Sequence, residues 1–91
     1  MELKFKKSFI RDIDDIGSKE PTRAIEELIR KIKEAKSIYQ IQRAKALRQS
    51  KYEYKIELRV QSKIYWILCD IRGNIVLFLR IKSESWCKKN L

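Results

Sequence analysis

The side chains best suited to chemistry in this sequence alternate along one predicted strand. Lys55, Glu57 and Arg59 occupy every second position between Tyr54 and Val60, so their side chains share one face of that strand. Cations on such a face can bind phosphate groups, and Glu57 can act among them as a general base. Ion pairing with its neighbours is the alternative role for this carboxylate. The sequence leaves both interpretations open.

The charge of the chain indicates a polyanionic partner. Its 91 residues contain 22 Lys and Arg against 12 Asp and Glu, which gives a net charge of +10. Between Lys36 and Lys63 lie eight cations and two glutamates, so +6 of that charge falls in one segment. A concentrated surplus of this kind is what binding along a phosphate backbone requires. Nucleic acid is therefore the first partner to consider.

Metal and thiol chemistry are poorly supported by the residue types. The chain has two cysteines, Cys69 and Cys87, and no histidine, so one copy can assemble neither a tetrahedral zinc site nor a Cys/His nucleophile. We expect Cys69 to be a buried apolar residue, and free thiols fit a reducing cytoplasm. Residues 1–7 lack the apolar region of a signal peptide and no apolar run is long enough to span a bilayer, so we expect a protein that is neither exported nor membrane-spanning. We therefore expect a cytoplasmic protein without a metal, a cofactor or a membrane partner.

Hydrophobic periodicity predicts an α+β fold of the order β-α-α-β-β-β in a single domain, residues 1–91. The predicted elements are a strand at Leu3–Phe5, helices at Ser8–Ile16 and Pro21–Lys36, and strands at Tyr52–Val60, Lys63–Cys69 and Ile75–Ile81. Ser8 is the expected helix cap and Gly17 the expected stop. Residues 37–51 are interpreted as a basic connection. We interpret Asp12, Asp14 and Asp15 as a solvated helix face.

Four stretches of the chain resemble a known protein family. They are Lys33–Ile41, Lys45–Arg48, Tyr54–Leu58 and Asn74–Arg80. Together with the element order and the basic composition, they are similar to the RelE/ParE superfamily of toxins from type II toxin–antitoxin operons. The resemblance implies two N-terminal helices packed on a small twisted, mainly antiparallel sheet. It also implies a cognate antitoxin, typically with an acidic amphipathic segment that covers the basic surface.

The resemblance further implies a reaction and the residues that perform it. RelE-like members are ribosome-dependent endonucleases, in which a ribose 2′-OH of the messenger RNA attacks the neighbouring phosphate without a metal. The resemblance assigns catalytic positions to Lys55, Lys63 and Arg80, and Glu57 is the candidate base. The candidate RNA-binding residues are Lys45, Arg48, Lys51, Arg59, Lys82 and Trp86. We expect Lys55, Lys63 and Arg80 to converge on one concave surface, with the ribosome and mRNA as partners.

Trp86 and the C-terminal segment leave alternatives open. The Trp86 indole can stack on an unpaired base or cover the core. Glu84 stands where the family pattern has an arginine, and the chain lacks the family's histidine. A ParE-like inhibitor of DNA gyrase needs no catalytic residues and is one alternative function. A RelE-fold protein that only binds antitoxin or RNA is the other.

Overall fold

The computed structural model describes residues 1–17, 19–47 and 50–90. The strands are β1 (Glu2–Phe5), β2 (Ala44–Ala46), β3 (Glu53–Val60), β4 (Lys63–Arg72) and β5 (Ile75–Ser83), and the helices are α1 (Lys7–Ile16), α2 (Lys19–Glu34) and α3 (Glu84–Asn90). A 3-10 turn at Ile38–Gln40 precedes β2. The strands form one sheet in the order β1-β5-β4-β3-β2, in which β1 is parallel to β5 and the other neighbours are antiparallel.

The apolar stripes of α1 and α2 cover one side of this sheet, which we call the helix face. Phe9, Ile25 and Ile32 of the helices are fully or almost fully buried in one cluster with strand residues such as Ile56 and Ile67. Removing such side chains from water is the main driving force of folding. The opposite side of the sheet is called the outer face. This arrangement confirms the predicted α+β fold.

Helix α1 begins earlier than predicted, and its first turn has no side-chain cap. The helix starts at Lys7, and the hydroxyl of Ser8 donates to the carbonyl oxygen of Leu79 at 2.6 Å instead of capping the helix. The prediction of a Ser8 cap was therefore wrong, because the helix begins one residue before Ser8 and Lys6 occupies the cap position. Gly17 ends the helix as predicted, with a left-handed φ of 64° that glycine adopts without strain.

The remaining differences are in boundaries and in two additional elements. Helix α2 lies two residues earlier than predicted at both ends, with Pro21 in its first turn. The connection at residues 37–51 contains the short edge strand β2, and the C-terminal segment forms α3. Both elements are too short to show a clear period in the sequence. None of the helices in the described ranges is both long and apolar enough to cross a membrane.

A bulge in β5 determines which of its side chains reach the outer face. Consecutive residues of β4 pair with Phe78 and Arg80, so Leu79 between them is an extra residue in the ladder. Phe78 points to the helix face, and unbroken alternation would place Arg80 there as well. The extra residue shifts the phase by one position. Ile81 is therefore buried on the helix face, while Arg80 and Lys82 project from the outer face.

Candidate functional site

The outer face presents a transverse row of cations. The register pairs Lys45 with Lys55, Lys55 with Leu68, and Leu68 with Arg80, so these four side chains lie side by side across four strands. Adjacent strands are about 4.8 Å apart, which separates the backbones of Lys55 and Arg80 by roughly 10 Å. Successive phosphates of an extended nucleic-acid strand can be contacted by cations at such spacing.

Trp66 lies beneath the lysines of this row. The Nζ atom of Lys55 is 4.6 Å from the centre of its ring, and that of Lys45 is 5.9 Å away. Trp66 is 7% exposed, and the register places its ring on the outer face opposite Glu57. The ring attracts both ammonium groups, and the lysine stems cover its surface. Both ammonium groups are thereby held at the surface of the sheet.

Trp86 forms a second cluster of an aromatic ring with cations. Helix α3 contacts β4 and β5, and the ring of Trp86 lies 5.3 Å from Lys82 Nζ and 5.9 Å from the guanidinium carbon of Arg80. The backbone amide of Trp86 donates to the hydroxyl of Ser83 at 3.3 Å, which helps to begin α3. Trp86 is therefore a half-buried ring next to the outer-face cations, where a base could stack on it.

Asp12 is buried against Arg80 and Lys82, contrary to the prediction of a solvated carboxylate. Its side chain is 2% exposed and forms ion pairs of 2.9 Å with Arg80 and 3.0 Å with Lys82. Burial acts to raise the pKa of Asp12, but hydrogen bonds from Arg80, Lys82 and the Ile81 amide outweigh it and lower the pKa below 3.8. The spacing from Phe9 to Asp12 is i to i+3, which places Asp12 beside the apolar stripe and could have revealed its burial.

Glu57 is occupied by two arginines. Its Oε2 atom accepts from Arg59 Nε at 2.7 Å and from Arg43 Nη1 at 3.4 Å, and its side chain is 15% exposed. This geometry is the ion-pairing role that the sequence left open. The Oε2 atom of this carboxylate is therefore already engaged before any ribose hydroxyl arrives.

Lys63 does not share a surface with Lys55. The register pairs Lys63 with Val60 and Lys55 with Leu68, and Val60 packs against the helix-face core. Partners directly opposite each other project to the same side of a sheet, so Lys63 projects from the helix face at the end of β4. The predicted convergence of Lys63 with the other cations is therefore wrong. Lys55 and Arg80 do share the outer face.

Two of the remaining predicted RNA-binding residues are exposed cations. Arg59 is exposed on the outer face beside Glu57, and Lys51 is exposed two residues before the start of β3. Arg48 lies outside the described residues. The two cysteines are free: Cys69 is buried as predicted, and burial together with Asp70 raises its pKa to about 12. Cys87 on α3 is half-buried, and burial raises its pKa even though nearby Lys55 acts to lower it.

Two solved structures share the fold of this chain, although its sequence matches no known family. No protein-family model matches the sequence, and no curated protein is significantly similar to it. A chain of the RelB-RelE antitoxin-toxin complex from Methanococcus jannaschii superimposes with a TM-score of 0.72 at 19% identity, over 97% of this chain and 98% of that one. The solution structure of the conserved hypothetical protein HP0894 from Helicobacter pylori gives a TM-score of 0.56 at 20% identity, over 93% and 96% of the two chains. The chain therefore has the fold found in the RelB-RelE complex.

Proposed function

We propose that this protein is the toxin of a type II toxin–antitoxin pair and that it cleaves messenger RNA on the ribosome. The observation that carries the proposal is the outer-face row of Lys45, Lys55 and Arg80 with the half-buried ring of Trp86 beside Arg80. Cations and aromatic rings on one surface are the two kinds of contact that hold a single strand of RNA. The RelE-like fold adds support, since it is the fold of a chain in an antitoxin–toxin complex.

The proposed reaction uses these cations to stabilise charge. The 2′-oxygen of a ribose attacks the adjacent phosphorus and the bond to the 5′-oxygen breaks. This leaves a cyclic phosphate and a 5′-oxygen that takes up a proton from water to become a hydroxyl. Negative charge builds on the phosphoryl oxygens during this step. Lys55, Arg80 and Lys82 are the donors that lie on the right surface to stabilise it. Glu57 would accept the 2′-proton after an incoming phosphate has drawn Arg59 away from it.

The antitoxin is proposed to dock in a groove between α2 and the part of β3 beyond Ile56, which lies outside the ladder with β2. The groove is lined by apolar side chains that include Leu28 and Leu58 and by charged side chains, of which Lys31, Arg43 and Arg59 outnumber Glu27 and Glu57. An amphipathic acidic segment complements a groove of this composition, because its apolar side can contact the apolar lining while its carboxylates meet the cations. Such binding would weaken as the salt concentration rises.

A role in binding without cleavage is the second candidate. It is favoured by the two carboxylates that already engage outer-face cations: Asp12 pairs with Arg80 and Lys82, and Glu57 pairs with Arg59 and Arg43. A protein of this kind would bind antitoxin or RNA through the same surface. It would have no general base that is free at the start of the reaction.

The deciding experiment is induction of the gene in a bacterial host with and without its operon neighbour. We expect growth arrest that the neighbour relieves, with primer extension revealing cuts within translated messages. The purified protein should cut messages on programmed ribosomes. Arrest without message cleavage, together with inhibition of DNA supercoiling, would instead identify a gyrase inhibitor. Absence of arrest would favour the binding role.

A further inference from the structure

Asp12 is the only charged side chain that is buried within residues 1–17, 19–47 and 50–90. Both of its oxygens are used. Oδ2 accepts from Arg80 Nε at 2.9 Å and from the Ile81 amide at 3.0 Å, and Oδ1 accepts from Arg80 Nη2 at 3.1 Å and lies 3.0 Å from Lys82 Nζ. Burial of a carboxylate is unfavourable unless charges and hydrogen bonds compensate for it. Its presence here therefore calls for an explanation.

Closing the edge of the sheet explains only part of this arrangement. β1 pairs with β5 as far as Phe5 opposite Phe78, and beyond that point side chains of α1 take over the edge. The Ser8 hydroxyl donates to the Leu79 carbonyl oxygen, and Asp12 accepts the Ile81 amide. A neutral asparagine oxygen could accept that amide equally well. The negative charge is instead directed at the two cations on either side of Ile81.

We propose that Asp12 is a positioning residue that fixes Arg80 and Lys82 in the geometry needed to bind a phosphate of the RNA. This inference rests on the proposed function. Asp12 itself lies beneath the outer face and does not touch the ligand. It holds the Nε and Nη2 side of the Arg80 guanidinium, so that the Nη1 group and the free protons of Lys82 Nζ remain for a phosphate.

The physical advantage is order gained before the ligand arrives. Arg and Lys side chains each lose about 1.5–2 kcal/mol of rotamer entropy when they are fixed, and here the fold has already imposed that loss. The bidentate contact also fixes the plane of the Arg80 guanidinium. The carboxylate reduces the summed charge of Asp12, Arg80 and Lys82 to +1. Asp12 therefore weakens the general attraction for polyanions while it fixes the positions of the two cations.

Asp12→Asn therefore has opposite expected effects on binding and on rate. The variant keeps an acceptor for the Ile81 amide and raises the net charge of the outer face by one. Its affinity for single-stranded RNA should stay the same or increase by about threefold, with a steeper salt dependence. Cleavage on programmed ribosomes should fall about 10²-fold, which is the effect of a misplacement of about 1 Å. Asp14→Asn, an exposed position on the same helix, is the charge-matched control and should retain the parental rate.

A double-variant comparison separates positioning from a general structural role. If Asp12 acts through Arg80, then adding Asp12→Asn to Arg80→Gln should cause no further loss of cleavage rate. Full multiplication of the two losses would overturn the inference, because it would mean that Asp12 acts on the rate independently of Arg80. Cleavage by Asp12→Asn at the parental rate would overturn it as well.

Order in the Arg80 side chain can be measured without any assay of activity. Nitrogen relaxation of Arg80 Nε in the parent protein should report a rigid group, in contrast to Nε of exposed Arg30 on α2. The order should be lost in Asp12→Asn and kept in Asp14→Asn. Equal mobility of Arg80 and Arg30 in the parent would refute the inference even if the Asp12 variant failed to fold. An ordered Arg80 in a parent that cuts no message would instead refute the proposed cleavage and leave the positioning role in place.

Discussion

Replacement of Lys55 and of Lys63 by alanine tests the assignment of the outer face most directly. Each substitution removes one charge from the same net charge of +10, and the two residues belong to neighbouring strands. They project from opposite sides of the sheet, because Lys55 pairs with Leu68 and Lys63 pairs with Val60. Any effect of overall charge is therefore common to both variants. Only an effect of position on one surface can distinguish them.

The expected magnitude follows from the contact that is lost. A phosphate contact made by Lys55 contributes about 1–1.5 kcal/mol, at the lower end for a charge-assisted hydrogen bond, because the site is open to water. Its loss corresponds to about tenfold weaker binding of single-stranded RNA, and to a decrease of about 0.7 in the slope of log K against log salt. For Lys63→Ala the change should be less than about twofold, because screening over about 8 Å attenuates a charge on the far face.

The assay is fluorescence anisotropy of a labelled single-stranded RNA at several salt concentrations, followed by message cleavage on programmed ribosomes. Lys55→Ala also loses a cation–π contact of 4.6 Å with Trp66, so we expect it to lower the free energy of unfolding by about 0.5–1 kcal/mol. Urea unfolding and retained antitoxin binding control for this loss. Equal losses of RNA affinity in the two variants would refute the assignment of the site to the outer face.

Three further predictions concern individual side chains. Asp12→Asn should lower the free energy of unfolding by about 1–3 kcal/mol near neutral pH in urea titrations. Because the folded pKa of Asp12 lies below 3.8, this contribution is complete above the unfolded value and is lost as the pH falls through the folded value, so the difference between parent and variant should shrink in acid. Trp86→Ala should weaken RNA binding by about tenfold while the circular dichroism of the sheet is unchanged, because stacking on a base contributes about 1–3 kcal/mol; unchanged affinity would exclude stacking. An aromatic disulfide reagent should modify Cys87 in the native protein and Cys69 only on unfolding, because burial raises the pKa of Cys69 to about 12; mass spectrometry of the modified peptides distinguishes the two.

The main elements of the fold could be predicted because their periods are strong. β3 alternates over Tyr54, Ile56, Leu58 and Val60, and the apolar stripe of α2 recurs at helical spacing, so both were correct apart from their ends. β2 has only three residues, and its pairing with β3 depends on contacts that no local pattern encodes. Helix α3 has seven residues and gains its order from packing on the outer face.

The site was predictable in its residue types but only partly in its geometry. Lys55, Arg80 and Trp86 were singled out from the sequence, and they share the outer face. Lys63 was misplaced although only Gln61 and Ser62 separate the predicted strands Tyr52–Val60 and Lys63–Cys69, which already requires Val60 and Lys63 to be opposite each other. Asp12 was missed because acidic residues on a helix are usually solvated. Its burial depends on Arg80, which is 68 residues away along the chain and next to it in space.

The bulge at Leu79 makes the charge of the outer face depend on one residue that stays outside the ladder. From Ile75 to Leu79 the strand is uninterrupted apolar sequence, so residue identity alone does not determine which of its side chains point outward. If Leu79 were paired in the ladder without a bulge, unbroken alternation would turn Ile81 to the outer face and direct Arg80 toward the core. Burial of a cation is unfavourable by several kcal/mol, which favours the bulged register over the unbroken one. Deleting Leu79 would remove the bulge, and Arg80 and Lys82 would keep their places on the outer face.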